Sequence, residues 1–96
     1  MAKPGKKGIQ IKIDEQTAQG VYANLAMVAH GESEFVLDFM FLQPGRSDAK
    51  VGARVVLSPR QTKRLLHALT DNIARYEGRH GTIPSSGGPG PDDVVH

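Results

Sequence analysis

The sequence has no cysteine, no tryptophan and only five aromatic residues among its 96 positions. The absence of cysteine excludes disulfide frameworks, zinc–thiolate sites, iron–sulfur clusters and thiol nucleophiles. No apolar run approaches the roughly 20 residues that a membrane-spanning helix needs. Residues 1–8 also lack the apolar stretch of a secretory signal. We therefore expect a cytoplasmic protein without a membrane partner.

The chain length allows one small domain, and the composition changes at both ends. Twelve basic and ten acidic residues give a net charge of +2, and residues 1–8 contain three lysines. Residues 82–96 are rich in glycine, proline and serine, a composition too poor in apolar groups to offset the entropy of ordering. We predict a disordered basic arm over residues 1–8, a single domain over residues 9–81 and a disordered tail over residues 82–96.

Four segments have the apolar pattern of β-strands. Isoleucines alternate with polar residues over residues 9–13, and apolar residues cluster over residues 20–29, 34–42 and 50–57. The segment His30-Gly31-Glu32-Ser33 is typical of a hairpin turn, although the length of its loop, and hence the register, stays open. The pattern predicts a four-stranded antiparallel sheet.

A long amphipathic helix is predicted after the last strand. Ser58 is a favourable N-cap and Pro59 suits the first helical position. The helix is expected to end at Gly78 or Gly81. Its apolar stripe would pack on the sheet face that carries two rows of residues, Phe35, Leu37, Phe39 and Phe41 in one strand, and Val51, Ala53, Val55 and Leu57 in the next. The predicted fold class is therefore α+β, with ββββα order.

The opposite sheet face is half apolar. A core as small as this one favours an oligomer, a dimer or a tetramer, that buries further surface. A monomer seldom leaves a large apolar patch in water. We predict that this face is a subunit interface or binds a partner polypeptide, while an amphiphilic solvent face and a ligand site remain alternatives. The candidate interface residues are Val36, Asp38, Met40, Leu42, Arg54 and Val56. Among them, Asp38 and Arg54 lie in adjacent predicted strands and can pair across them, which would fix the register of an interface.

No motif for catalysis or for cofactor binding is present. The four histidines lie in a predicted turn, on the helix, at its end and in the tail, and no pair has metal-ligand spacing. The glycine-rich stretch in residues 87–91 follows no strand and begins no helix, unlike a phosphate-binding loop. We expect a protein that is not an enzyme and that uses no metal or other cofactor.

The polar side of the helix is basic and suggests an alternative function. Nucleic-acid backbones bind to clusters of lysine and arginine. Four cations of the helix are candidate phosphate contacts: Arg60, Lys63, Arg64 and Arg75. Against this reading, all three phenylalanines lie on the face expected to be covered, so no aromatic platform for bases is exposed.

Three stretches carry a resemblance to known proteins. The sequences QGVYAN at residues 19–24, SEFVLDF at 33–39 and KRLLHALTDNIARYE at 63–77 resemble a family of short prokaryotic proteins of unknown function. The order of elements, with a Gly31-Glu32 turn and a long helix ending in RHGTIP at residues 79–84, is similar to the export chaperone SecB. That second resemblance implies an oligomer that holds unfolded chains on apolar grooves. The expected function is thus an oligomeric protein-binding module, a holdase or an adaptor.

Overall fold

The computed structural model describes residues 8–84 as one α+β unit. A single helical turn, α1 (Glu15–Ala18), precedes three strands, β1 (Leu25–His30), β2 (Phe35–Leu42) and β3 (Ala49–Leu57), and one long helix, α2 (Pro59–His80). The predictions for the basic arm and the tail fall almost entirely outside the described residues. No helix in residues 8–84 is long and apolar enough to cross a membrane.

The three strands form an antiparallel meander in the order β1-β2-β3. Val36 of β2 lies opposite Ala29 on one side and Val56 on the other, which fixes the register. The turn between β1 and β2 is closed by the Gly31 N–H, which donates to the Glu34 carbonyl at 3.0 Å. The antiparallel sheet predicted from the strand pattern is thus confirmed over three of its four strands.

A β-bulge in β3 divides the residues of this strand between the two faces. Ala53 lies opposite Phe39 and Val51 lies opposite Met40, so Gly52 has no partner of its own. Cross-strand partners point to the same side of a sheet. Val51 therefore shares the face of Met40, and the prediction that placed it beside Ala53 and Val55 was wrong because a bulge shifts the alternation by one residue.

The predicted first strand is not formed. Residues 9–13 lie outside the sheet, and Ile9, Ile11 and Ile13 are 69%, 74% and 64% exposed. Asp14 then begins α1 as its N-cap and accepts a hydrogen bond from the Thr17 N–H. An alternating pattern describes a chain that can form a strand, but a strand also requires a neighbouring edge with unpaired backbone groups. Within residues 8–84 no edge pairs with this segment.

Helix α2 begins and ends at signals that the sequence provides. The Ser58 hydroxyl accepts from the Gln61 N–H at 3.1 Å, and Pro59 occupies the first turn. Gly81 ends the helix with a φ of 96°, a left-handed value that favours glycine. Gly78 lies inside the helix. Of the two predicted stops, the second is confirmed.

The helix does not cover the sheet as predicted. It meets the sheet at β3, and only Thr62, Leu65 and Glu77 of its residues are half-buried. In residues 8–84 the buried side chains are Leu37 and Met40, each 8% exposed. The prediction of a helix packed along one sheet face was wrong beyond the first two turns, because periodicity identifies an apolar side but not what lies against it.

Candidate functional site

An ion pair lies at the centre of one sheet face. Asp38 of β2 and Arg54 of β3 are direct cross-strand partners. The Arg54 Nε donates to Asp38 Oδ1 at 2.7 Å and its Nη2 donates to Oδ2 at 2.8 Å, so the pair is bidentate. Planar, two-point contacts of this kind hold both side chains in one orientation. The sequence prediction that these residues could pair across adjacent strands is confirmed.

The electrostatics of the pair favour its charged form. The hydrogen bonds from Arg54, together with its positive charge, lower the pKa of the Asp38 carboxyl below its usual 3.8. The same contacts raise the pKa of the Arg54 guanidinium above its usual value. The Asp38 side chain is 17% exposed and that of Arg54 is 62% exposed. Solvent reaches the guanidinium, so the pair presents a polar point at neutral pH rather than a sealed internal salt bridge.

Apolar side chains surround this ion pair. The register places them on the same side of the sheet as Asp38, and we call this surface the Asp38 face. Met27, Val51 and Val56 are 54%, 46% and 51% exposed, whereas Met40 is buried in the protomer. The face comprises Met27, Val36, Asp38, Met40, Leu42, Val51, Arg54 and Val56.

The structure brings all six predicted interface residues together on the Asp38 face, but they differ in accessibility. Val36 and Asp38 are half-buried, Leu42 is 38% exposed, and Met40 offers almost no accessible surface. Sequence reasoning missed Met27 and Val51. Met27 was placed in a strand whose register was left open, and Val51 was assigned to the other face because the bulge at Gly52 was not recognised. A glycine inside an alternating strand was the signal that could have revealed it.

The entry of the chain into β1 is fixed by a side chain. The Asn24 Nδ2 donates to the Leu42 carbonyl at 3.0 Å, and its Oδ1 accepts from the Leu42 N–H at 2.9 Å. The Asn24 backbone N–H also donates to the Met40 carbonyl. The side-chain amide thus takes the place of a peptide group and extends the pairing with β2 by one residue, while the main chain turns away.

The residues just before Asn24 cross the end of the sheet at which β1 begins. The Tyr22 and Phe41 rings meet edge to face at 5.9 Å. A Cβ built on Gly52 would lie 3.1 Å from the Val21 Cγ1, so the bare backbone of Gly52 accommodates the Val21 side chain. Since Gly52 belongs to β3, the chain reaches β1 from the β3 side of the sheet.

The apolar stripe of α2 is exposed along most of its length. At 100° per residue these residues share one side of the helix, yet they are 45–55% exposed. We call this surface the helix stripe, and it consists of Leu66, Leu69, Ile73 and Tyr76. Leu65 and Thr62 lie on the same side nearer the start of α2 and are half-buried.

Five basic residues of the helix lie on its other side and are exposed. They comprise Arg60, Lys63, Arg64, His67 and Arg75. The two ion pairs found within residues 8–84 are Asp38–Arg54 and Arg46–Asp48, and neither involves a cation of α2. The structure therefore leaves this basic helix face accessible, and the helix stripe lies on the opposite side.

Within residues 8–84 no group of three or more histidine, aspartate or glutamate residues is close enough to hold a metal ion. His30 stacks on Phe35 with ring centres 5.3 Å apart, and His80 stacks on Tyr76 at 4.7 Å. A shallow groove of about 360 Å³ lies at the end of the sheet between β2 and β3, beside Phe41, Arg46 and Lys50. It is open to solvent and brings together no recognisable nucleophile and base.

These features define a class of small α+β proteins, in which a three-stranded antiparallel meander is followed by a long, largely uncovered amphipathic helix. The family model of DUF3467, described as a protein of unknown function, matches residues 1–85. The chain therefore belongs to the DUF3467 family, and the resemblance to a family of unknown function is confirmed. No curated protein and no solved structure matches the chain.

The resemblance to SecB is not confirmed by these comparisons. The described part of the chain has three strands where the resemblance implied four. The order of hairpin, further strand and long helix is present, but such an order occurs in proteins of many functions. No activity can be transferred to this chain from SecB on this basis.

Proposed function

We propose that the protein is an oligomeric protein-binding module, and that it binds a partner polypeptide on the Asp38 face. The observation that carries the proposal is the ring of exposed apolar side chains around the Asp38–Arg54 pair. Protein-binding surfaces commonly combine an apolar area with a few oriented polar groups, and arginine is enriched in them. The face has this composition.

The geometry of the face suits an extended apolar segment. Met27, Val51 and Val56 lie on either side of the ion pair, on the two outer strands of the sheet. A bound chain can place apolar side chains on these positions and donate its backbone N–H groups to the free lone pairs of Asp38. This recognition requires no fixed sequence, which is what a holdase or an adaptor needs.

The test uses two neighbouring valines that point to opposite faces. Val56→Asp places a charge on the Asp38 face, and Val55→Asp places the same charge on the other face at comparable exposure, 51% against 41%. The probe is a fluorescently labelled, reduced and alkylated protein that stays unfolded, and binding is followed by anisotropy. We expect Val56→Asp to weaken binding at least tenfold and Val55→Asp to change it less than threefold. Equal effects, or no binding by the wild type, would contradict the proposal.

Met40→Asp is unsuitable for this test because Met40 is buried in the protomer. A charge at this site would unfold the sheet whether or not the face binds a partner. Circular dichroism of the valine variants confirms that each remains folded before binding is compared.

A second candidate function is nucleic-acid binding through the basic helix face, which is supported by the exposure of its cations and by the absence of ion pairs to them within residues 8–84. The triple variant Arg60→Glu, Arg64→Glu, Arg75→Glu should then abolish binding of a labelled single-stranded or duplex oligonucleotide. The wild type should lose affinity steeply as salt rises. If the wild type binds neither oligonucleotide at low salt, this candidate is excluded.

A further inference from the structure

The isoleucine segment, residues 9–13, has the sequence pattern of an amphipathic strand but lies outside the sheet. Its three isoleucines are 64–74% exposed, while Gln10 and Lys12 alternate with them. A row of alternating apolar side chains that faces water is unfavourable, because each isoleucine loses the benefit of burial. Within the part of the chain that the structure describes, the segment pairs with no sheet edge on which its isoleucines can be buried.

The outer edge of β1 is suited to pairing with an added strand. Natural sheet edges are protected by charges, proline, bulges or a covering element. The edge of β3 has such protection from Lys50, Arg54 and the bulge at Gly52, and α2 meets it. The sequence of β1, LAMVAH, has no charged residue and no proline, and its pairing with β2 is regular. With six residues, β1 is long enough to pair along all five residues of the isoleucine segment.

The residues that lead from this segment into β1 of the same chain lie on the β3 side of the sheet. Val21 lies against Gly52 of β3 and Tyr22 packs on Phe41, so the chain approaches Asn24 from the β3 side. The outer edge of β1 is on the opposite side of the sheet. A second copy of the chain has no such restriction, and a two-fold axis lets each copy supply its segment to the other.

We infer that two copies of this chain form a dimer in which residues 9–13 of each add as a fourth strand to the β1 edge of the other. This inference deepens the oligomeric part of the proposed function by naming the surface of self-association. Met27 and Val28 are consecutive and point to opposite faces of β1, so the isoleucines of an added strand lie beside only one of them. With roughly 200 Å² for a free residue of this size, the exposed parts of these four residues amount to about 500 Å² per copy. The dimer then buries at most about 1,000 Å² of this surface, which is the minimum expected of a specific interface.

Light scattering with matched variants tests the dimer. The wild type should have twice the protomer mass of 10.4 kDa at tens of micromolar. Ile11→Asp should weaken the dimer at least tenfold, whereas Gln10→Asp, on the polar side of the same segment, should leave it within threefold. Ile11 is 74% exposed, so its replacement does not unfold the protomer. A monomeric wild type, or equal behaviour of the two variants, would overturn the inference.

Cross-linking between two variant chains tests which edge is used. The sequence has no cysteine, so Gln10→Cys in one chain and Ala29→Cys in a size-tagged second chain can be joined only between copies. A short thiol-specific reagent should link this pair at least five times more than Gln10→Cys with Asp71→Cys. Equal yields would overturn pairing at β1.

The tests of the dimer are independent of the test of partner binding. If Ile73→Asp on the helix stripe dissociates the dimer and Ile11→Asp does not, the copies meet through the helices and strand addition is wrong. Ile11→Asp should leave the Val56-dependent binding of the unfolded probe detectable. Loss of that binding in Val56→Asp with the dimer intact separates the two proposals.

Discussion

Single residues in this protein replace backbone functions or fix the alignment of strands. Asn24 supplies both a donor and an acceptor to Leu42, and Arg54 makes two hydrogen bonds to Asp38. Both interactions join strands that the hydrophobic pattern alone could place in more than one register. The sequence indicated the Asp38–Arg54 pair, because opposite charges occur at corresponding places in adjacent strands. The contact between Asn24 and Leu42 could not be predicted, because it depends on how the chain turns at the residues next to Asn24.

Asn24→Asp should destabilise the protein by about 1–2 kcal/mol, since the new carboxylate cannot donate to the Leu42 carbonyl and leaves two acceptors facing each other. Asn72, whose Nδ2 donates to the Ala68 carbonyl on the helix surface, provides the control, and Asn72→Asp should cost less than half as much. The measurement is urea unfolding followed by circular dichroism. Equal costs would show that the Asn24 side chain does not fix the start of β1.

The ion pair should contribute a pH dependence to stability. The folded-state pKa of Asp38 lies below its usual 3.8, so folding is favoured by this group above pH 3.8. The contribution is lost as the pH falls through the folded-state pKa. Asp38→Asn should therefore flatten the decline of the thermal midpoint between pH 5 and pH 2. If the thermal midpoint of the variant declines in parallel with that of the wild type, other carboxyls cause the acid sensitivity.

At the scale of elements, helix α2 is the best predicted part of the chain and the isoleucine segment the worst. The helix boundaries are local, because Ser58, Pro59 and Gly81 act on the backbone beside them. The strands β2 and β3 also follow their patterns to within one residue at each end. The segment at residues 9–13 has an equally clear pattern. Its pairing depends on where the rest of the chain lies, and the hydrophobic periodicity carries no information about that.

Ser58→Ala should cost about 1 kcal/mol of stability, because the Gln61 N–H loses its acceptor at the start of α2. Ser47→Ala, in the exposed connection between β2 and β3, is the matched control and should be within about 0.5 kcal/mol of the wild type. Thermal unfolding at 222 nm measures both. If the two serine variants are equally stable, the cap does not determine the stability of α2.

At the scale of the whole molecule, one copy of the chain buries too few apolar side chains to form a substantial core. Leu37 and Met40 are the buried side chains within residues 8–84, while Ile11, Met27 and Leu66 are more than half exposed. The sequence predicted a marginal core and an oligomer from chain length, and the small core is observed. The candidate face could be predicted because strand alternation fixes which residues lie together. The accessibility of each residue could not be predicted, since it depends on where the helix and the residues before β1 lie relative to the sheet.

The stability of the protein should therefore depend on its concentration. Association of folded copies draws the equilibrium toward the folded state by mass action. We expect the urea midpoint to rise steadily when the protein concentration is increased a hundredfold, and Ile11→Asp to remove this dependence. A midpoint that is the same at every concentration would mean that a single copy is stable by itself.

The bulge at Gly52 also affects how β3 tolerates changes in length. Because Gly52 has no cross-strand partner, Val51 already lies opposite Met40 and Ala53 opposite Phe39. A chain from which Gly52 is deleted can keep each of these pairs in a regular strand. What it loses is the bare backbone on which the Val21 side chain lies. Homologous chains with one residue fewer at this position can therefore retain the whole register of the sheet while the segment before β1 follows a different path.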